Sequence, residues 1–158
     1  MEWLELSRKD EEIKRLAAEC RAKMEYTEDG RMKIGKLARD LGLKVIRNES
    51  VKDSKAQLTD TQYGKLIYDG KRGFIIYDET RTSEQKEFTL AHEIGHYMLR
   101  HWETRATFDY VLDELNCSNW IRELLEDLKC FDTERQANLF AEYLLGRCSP
   151  DILESVTG

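Results

Sequence analysis

The residues with the clearest chemistry in this 158-residue chain are His92-Glu93-Ile94-Gly95-His96, an HExxH pattern. On an α-helix, residues four apart share a face, so both imidazoles can reach a single ion. Two neutral imidazole nitrogens suit Zn2+, which binds them at about 2.0–2.1 Å and in hydrolytic sites keeps one position for water. Glu93 follows the first ligand but is rotated off the ion. Its carboxylate is therefore placed to take a proton from that water rather than to bind the metal. With three histidines in the chain, chance gives only about 0.005 such matches, so the pattern is read as a metal site.

A catalytic zinc site needs a third protein ligand. The HExxHxxGxxH arrangement fails, because Leu99 stands at the glycine position and Trp102 at the last histidine position. His101 is nine residues after His92, about half a turn round a continued helix, and is expected at the surface. An acid from a later helix is the better source. Glu134, in TERQANLFAEYLL, is the first candidate; Asn138, one turn on, is placed to hydrogen-bond a ligand histidine from behind. The plainer role for Glu134 is a carboxylate offsetting a helix dipole. Glu142 lies on the same stripe, and spacing alone leaves Asp109, Asp113, Glu114 and Glu123 open. Tyr97, Tyr110 and Tyr143 are candidates for a second oxyanion donor, although each also fits an ordinary core aromatic.

Several elements must position these groups. Ile13, Leu16, Ala17, Cys20 and Met24 recur at helical spacing and predict a helix over about 8–25. KIGKLARDL predicts a short helix over 33–41, stopped at Gly42, and LKVIRN a strand. KLIYD and GFIIYD flank Gly70-Lys71-Arg72 as in a β-hairpin, and a further short strand is possible near Ala56–Thr59. Thr82 and Gln85 form a capping box for the helix that carries HExxH, with Phe88, Ala91, Gly95, Met98 and Trp102 as its buried stripe. Two more helices are expected, over about 119–130 and 133–146, the second opened by Asp132-Thr133. The fold class is α+β: one domain over 1–158, with a small sheet and hairpin packed on the HExxH helix and further helices after it. An extended peptide is expected to pair with the hairpin strand at about 73–78, taken as a sheet edge.

Composition narrows the function. The net charge is −6, with 41% hydrophobic and 35% charged residues. That is apolar enough for a core and unlike a disordered chain. The charge is also not the strongly basic footprint of a nucleic-acid binder. No apolar run reaches the roughly 20 residues of a membrane span. The first residues lack the apolar stretch of a signal peptide, so a soluble, cytoplasmic protein is expected. Cys20, Cys117, Cys130 and Cys148 form no CxxC pair and are read as free thiols. KIGKLARDLGL resembles the first half of a helix-turn-helix, but the β-like LKVIRNE occupies the place of a recognition helix.

FTLAHEIGHYML followed by ERQANLFAEYLL resembles the ImmA/IrrE family of zinc metallopeptidases. The carrying residues are Phe88, Thr89, Ala91, His92, Glu93, Gly95 and His96, then Glu134, Ala137, Asn138, Phe140, Ala141, Leu144 and Leu145. LARDLGLKV and GFIIYD are also similar, so the resemblance covers about 33–146. Gly146-Arg147-Cys148-Ser149-Pro150 stands where family members often carry Met-Pro, and the His96–Glu134 connection is long. The resemblance implies a zincin-like fold, Zn2+ held by His92, His96 and Glu134, and catalysis by Glu93. It further implies a cytosolic endopeptidase that cleaves a helix-turn-helix repressor of mobile-element or stress genes. No direct nucleic-acid or membrane partner is expected. A zinc-stabilised interaction module without robust protease activity is the alternative.

Overall fold

The computed structural model describes residues 2–103, 107–111 and 120–147, with side-chain surroundings for 9–103 and 132–147. Helix α1 (Glu2–Ala22) buries Ile13, Ala17 and Cys20 at helical spacing, with Met24 just beyond its end. Burial pushes the Cys20 thiol up to about 11, which makes it a packing group rather than a nucleophile. The other three cysteine side chains lie outside the described residues.

Helix α2 (Ile34–Asp40) buries Ile34, Leu37 and Ala38. Gly42 ends this segment at φ +95°, a left-handed conformation that glycine adopts without a Cβ clash. The chain then enters strand β1 (Leu43–Arg47), so no recognition helix follows α2.

Strands β2 (Gln62–Tyr68) and β3 (Gly73–Tyr77) form the expected hairpin. The Asp69 carboxylate accepts from the backbone N–H of Lys71 (2.9 Å) and Arg72 (2.7 Å) and closes the turn. The strand expected near Ala56–Thr59 does not form. That loop is tied by side chains instead: Asn48 Oδ1 accepts from the Leu58 N–H at 2.8 Å, and Glu79 accepts from the N–H groups of Asn48 and Glu49. Strand β4 (Thr107–Val111) completes the sheet and was not anticipated, because five residues of TFDYV alternate too briefly to stand out.

The sheet order is β1-β3-β2-β4, with β1 parallel to β3 and β2 antiparallel to both its neighbours. This corrects the expected docking strand. β3 is an interior strand, hydrogen-bonded on both sides, and among the described residues the open edges belong to β1 and β4. A local hairpin pattern cannot reveal that an earlier segment returns to cover its flank.

Helix α3 (Ser83–Met98) starts at the expected capping box: the Thr82 hydroxyl accepts from the Gln85 N–H, and the Gln85 side chain accepts from the Thr82 N–H. It is buried on every side from Phe88 to His96, against β2, β3 and β4 on one face and α4 on the other. The expected pair of later helices is a single helix, α4 (Trp120–Leu145), packed on α3 and α1. Asp132 and Thr133 have cap-forming side chains, but no glycine or proline interrupts the backbone between Trp120 and Leu145. The core joins Ile13, Leu37, Leu66, Ile75, Phe88, Ile94, Phe140 and Leu144. Each such side chain contributes about 1.5–3 kcal/mol when fully buried.

Gly95 sets the distance between α3 and α4. A Cβ there would lie 3.1 Å from the Ala137 carbonyl oxygen and 3.1 Å from Phe140 Cβ. The Gly95→Val variant is therefore expected to lose about 2–3 kcal/mol through overpacking, which thermal denaturation reads as a fall of roughly 4–12 °C. Gly95→Ala should lose less, because alanine regains about 1 kcal/mol of helix propensity. A Gly95→Val melt equal to wild type would show that the helices separate freely.

Candidate metal centre

His92 and His96 sit one turn apart on α3, both fully buried, and Glu134 reaches them from α4. The Glu134 oxygens lie 2.9 Å from His92 Nε2 and 3.0 Å from His96 Nε2. The two Nε2 atoms are 3.1 Å apart. Ligand atoms of these three residues fall within 4.8 Å of one another. A tetrahedral ion with bonds of 2.0–2.1 Å needs ligand–ligand edges of about 3.3 Å. The observed edges are close to that, so a small divalent ion fits with little movement.

The donor chemistry fits as well. His92 Nδ1 lies 2.7 Å from Asn138 Oδ1, an oxygen that only accepts. His92 therefore carries a proton on Nδ1, and Nε2 is the nitrogen left to bind a cation. Burial pushes the His96 imidazolium down to about 4 against the opposing pull of Glu134, so this ring is neutral at neutral pH. Burial alone would raise the Glu134 carboxyl; the adjoining His92 and His96 rings reverse this and hold it well below the usual carboxylate range. A divalent cation requires a carboxylate and unprotonated imidazole nitrogens, so on binding it would displace any proton held between Glu134 and the two rings. Glu134 retains 32% side-chain exposure, so the centre opens to solvent on its α4 side. Glu93, beside His92 on α3, is itself fully buried.

His101 is not where the helical projection puts it. α3 ends at Met98, and Arg100 adopts φ +60°, reversing the chain into a short 3-10 turn (His101–Glu103). His101 returns beneath α3 with only 7% exposure. Its Nδ1 lies 2.9 Å from His96 Nδ1, and its Nε2 lies 2.8 Å from Gln136 Oε1. Counting nine residues at 100° each assumed a helix that does not continue. The only sequence signal was an unassigned histidine near the end of the motif.

Among the described residues, no other expected acid joins the cluster. Glu142 lies outside the group of converging ligands. The side chains of Asp109 and Glu123, and all of Asp113 and Glu114, lie outside the described residues, as does the Tyr110 side chain. Tyr97 packs against the core, as its plainer reading has it, whereas Tyr143 is exposed and is not a core aromatic. Among the described residues, no helix is long and apolar enough to cross a membrane.

Comparison with known families matches residues 38–116 to the IrrE N-terminal-like domain of the M78 peptidases. The match spans half of the chain and includes His92, Glu93 and His96, while Glu134 lies beyond it. No curated protein and no solved structure matches the chain.

Proposed function

Because the chain belongs to the IrrE N-terminal-like family of peptidases, we propose that it is a cytosolic zinc-dependent endopeptidase that cleaves a helix-turn-helix transcriptional repressor. The observation that carries the enzymatic part is the convergence of His92 Nε2, His96 Nε2 and a Glu134 carboxylate beside a buried Glu93. The repressor substrate is supported by the family resemblance of the two motifs.

His92, His96 and Glu134 would hold Zn2+. When bound, zinc supplies Lewis acidity to the scissile carbonyl and makes water acidic enough to be deprotonated near neutral pH. The chain's own residues do the rest. Asn138 Oδ1 accepts the His92 Nδ1 proton and holds that ring in its binding tautomer. Glu93 takes the proton of the attacking water on its carboxylate and returns it to the departing amine nitrogen. The substrate backbone pairs with the open edge of β4, the edge strand that packs beside α3, in place of interior β3. Pairing of this kind presents a peptide extended, so a cleavage site in an exposed loop of the repressor is favoured over one inside a helix.

The test is cleavage of candidate repressors by the purified full chain. Loss of cleavage with a chelator, recovery with stoichiometric Zn2+, and fragments defining one cut site are expected. Zinc-loaded protein that cuts no candidate, while still altering repression in cells, would favour the interaction-module reading.

A further inference from the structure

The hydrogen bonds behind His96 have a direction that can be worked out from their far end. Gln136 Nε2 donates to Asp132 Oδ2 at 2.9 Å, leaving Gln136 Oε1 as an acceptor. An amide oxygen cannot donate, so the 2.8 Å contact with His101 must carry the proton on His101 Nε2. A neutral His101 protonated on Nε2 presents a lone pair at Nδ1. The 2.9 Å contact between the two Nδ1 atoms must then carry its proton on His96. With Nδ1 so occupied, Nε2, 3.0 Å from a Glu134 oxygen, is the nitrogen left for a cation that takes the place between ring and carboxylate. Each step follows from the one before it, and no group along the path is asked to donate and accept at the same atom.

We propose that His101 and Gln136 are positioning residues: they fix the tautomer and ring orientation of His96 and thereby set the affinity of the centre for its metal. The inference rests on the metal-centre reading above. Both side chains are buried, at 7% exposure each, so bulk water does not replace these bonds. The two ligand histidines are thus held by different means. His92 is fixed by Asn138, one turn from Glu134 on α4, whereas His96 is fixed through a second imidazole delivered by the turn after α3. Groups that orient metal-bound histidines typically change affinity by about 10–100-fold when removed.

The experiment compares His101→Leu with His101→Asn in the full chain. Asparagine carries Oδ1 on Cγ, where histidine carries Nδ1, and so keeps an acceptor for the His96 proton; leucine has the same shape without the acceptor. Zn2+ affinity is measured by competition with a chromophoric chelator, and Co2+-loaded protein supplies a visible spectrum of the ligand field. His101→Leu is expected to weaken Zn2+ binding about 10–100-fold and alter the Co2+ spectrum, while His101→Asn recovers most of the affinity. Equal affinities for wild type and His101→Leu, or equal losses in both variants, overturn the proposal. Should His101→Leu fail to fold, Gln136→Met serves: weaker metal binding at an unchanged melting temperature supports the relay, and unchanged binding overturns it. Wild type that binds no Zn2+ would instead overturn the metal centre itself, and the relay with it.

Discussion

Glu93→Gln is expected to retain one zinc per chain while peptidase activity falls by about 10²–10⁴-fold, the usual contribution of a general base. The substitution keeps the shape of a fully buried side chain and leaves His92, His96 and Glu134 in place. What it removes is the capacity to accept a proton. Metal analysis of the purified protein and initial rates on a repressor substrate, measured on the same preparation, separate the two effects. Full activity in the glutamine variant would assign proton transfer elsewhere. Loss of zinc would show that Glu93 supports the ligands rather than the water. A biological response that survives this substitution would place the function in binding instead of cleavage.

The second large effect concerns Glu134. Glu134→Ala should lose its zinc on gel filtration, and its melting temperature should no longer respond to added metal. In wild type, an ion present at about 1,000 times its dissociation constant stabilises the fold by about 4 kcal/mol, roughly 8–16 °C for a chain of this size. The argument is geometric. Both histidines come from α3, so Glu134 is the ligand that makes the centre span two helices. Full zinc retention in Glu134→Ala would move the third ligand to another acid, and Asp109, Asp113, Glu114 and Glu123 would become the variants to make.

Most of the site's geometry is legible in the sequence because it lies in short-range spacing. His92 and His96 are one turn apart, and Glu134 and Asn138 are one turn apart. A helix fixes both relations regardless of what surrounds it. The capping box at Thr82 and the stop at Gly42 were legible for the same reason. Apart from the strand expected near Ala56–Thr59 and the unforeseen β4, the misreadings concern the path between elements. His101 was projected along a helix that had already ended, and the left-handed Arg100 that turns it inward has no glycine to announce it. Asp132-Thr133 was read as a helix start although nothing before it ends one. β3 was taken as an edge because its partner β1 lies about thirty residues upstream, beyond the reach of any local pattern.

The crossing of α3 and α4 has one further consequence, which concerns alignment. Along α4 the pair Ala137–Phe140 is repeated one turn later by Ala141–Leu144, again a small residue followed by a large one. Apolar packing alone therefore discriminates weakly between two placements of α4 that differ by about 5.4 Å. The ligand set removes this degeneracy. Slid by one turn, α4 would offer Asn138 in place of Glu134 and bring Glu142 to the amide position behind His92. The centre would then have no anionic ligand, and the ring behind it would have lost its neutral acceptor. The ion recognises one placement only, so the same three side chains that hold it also make the seating of α4 unique.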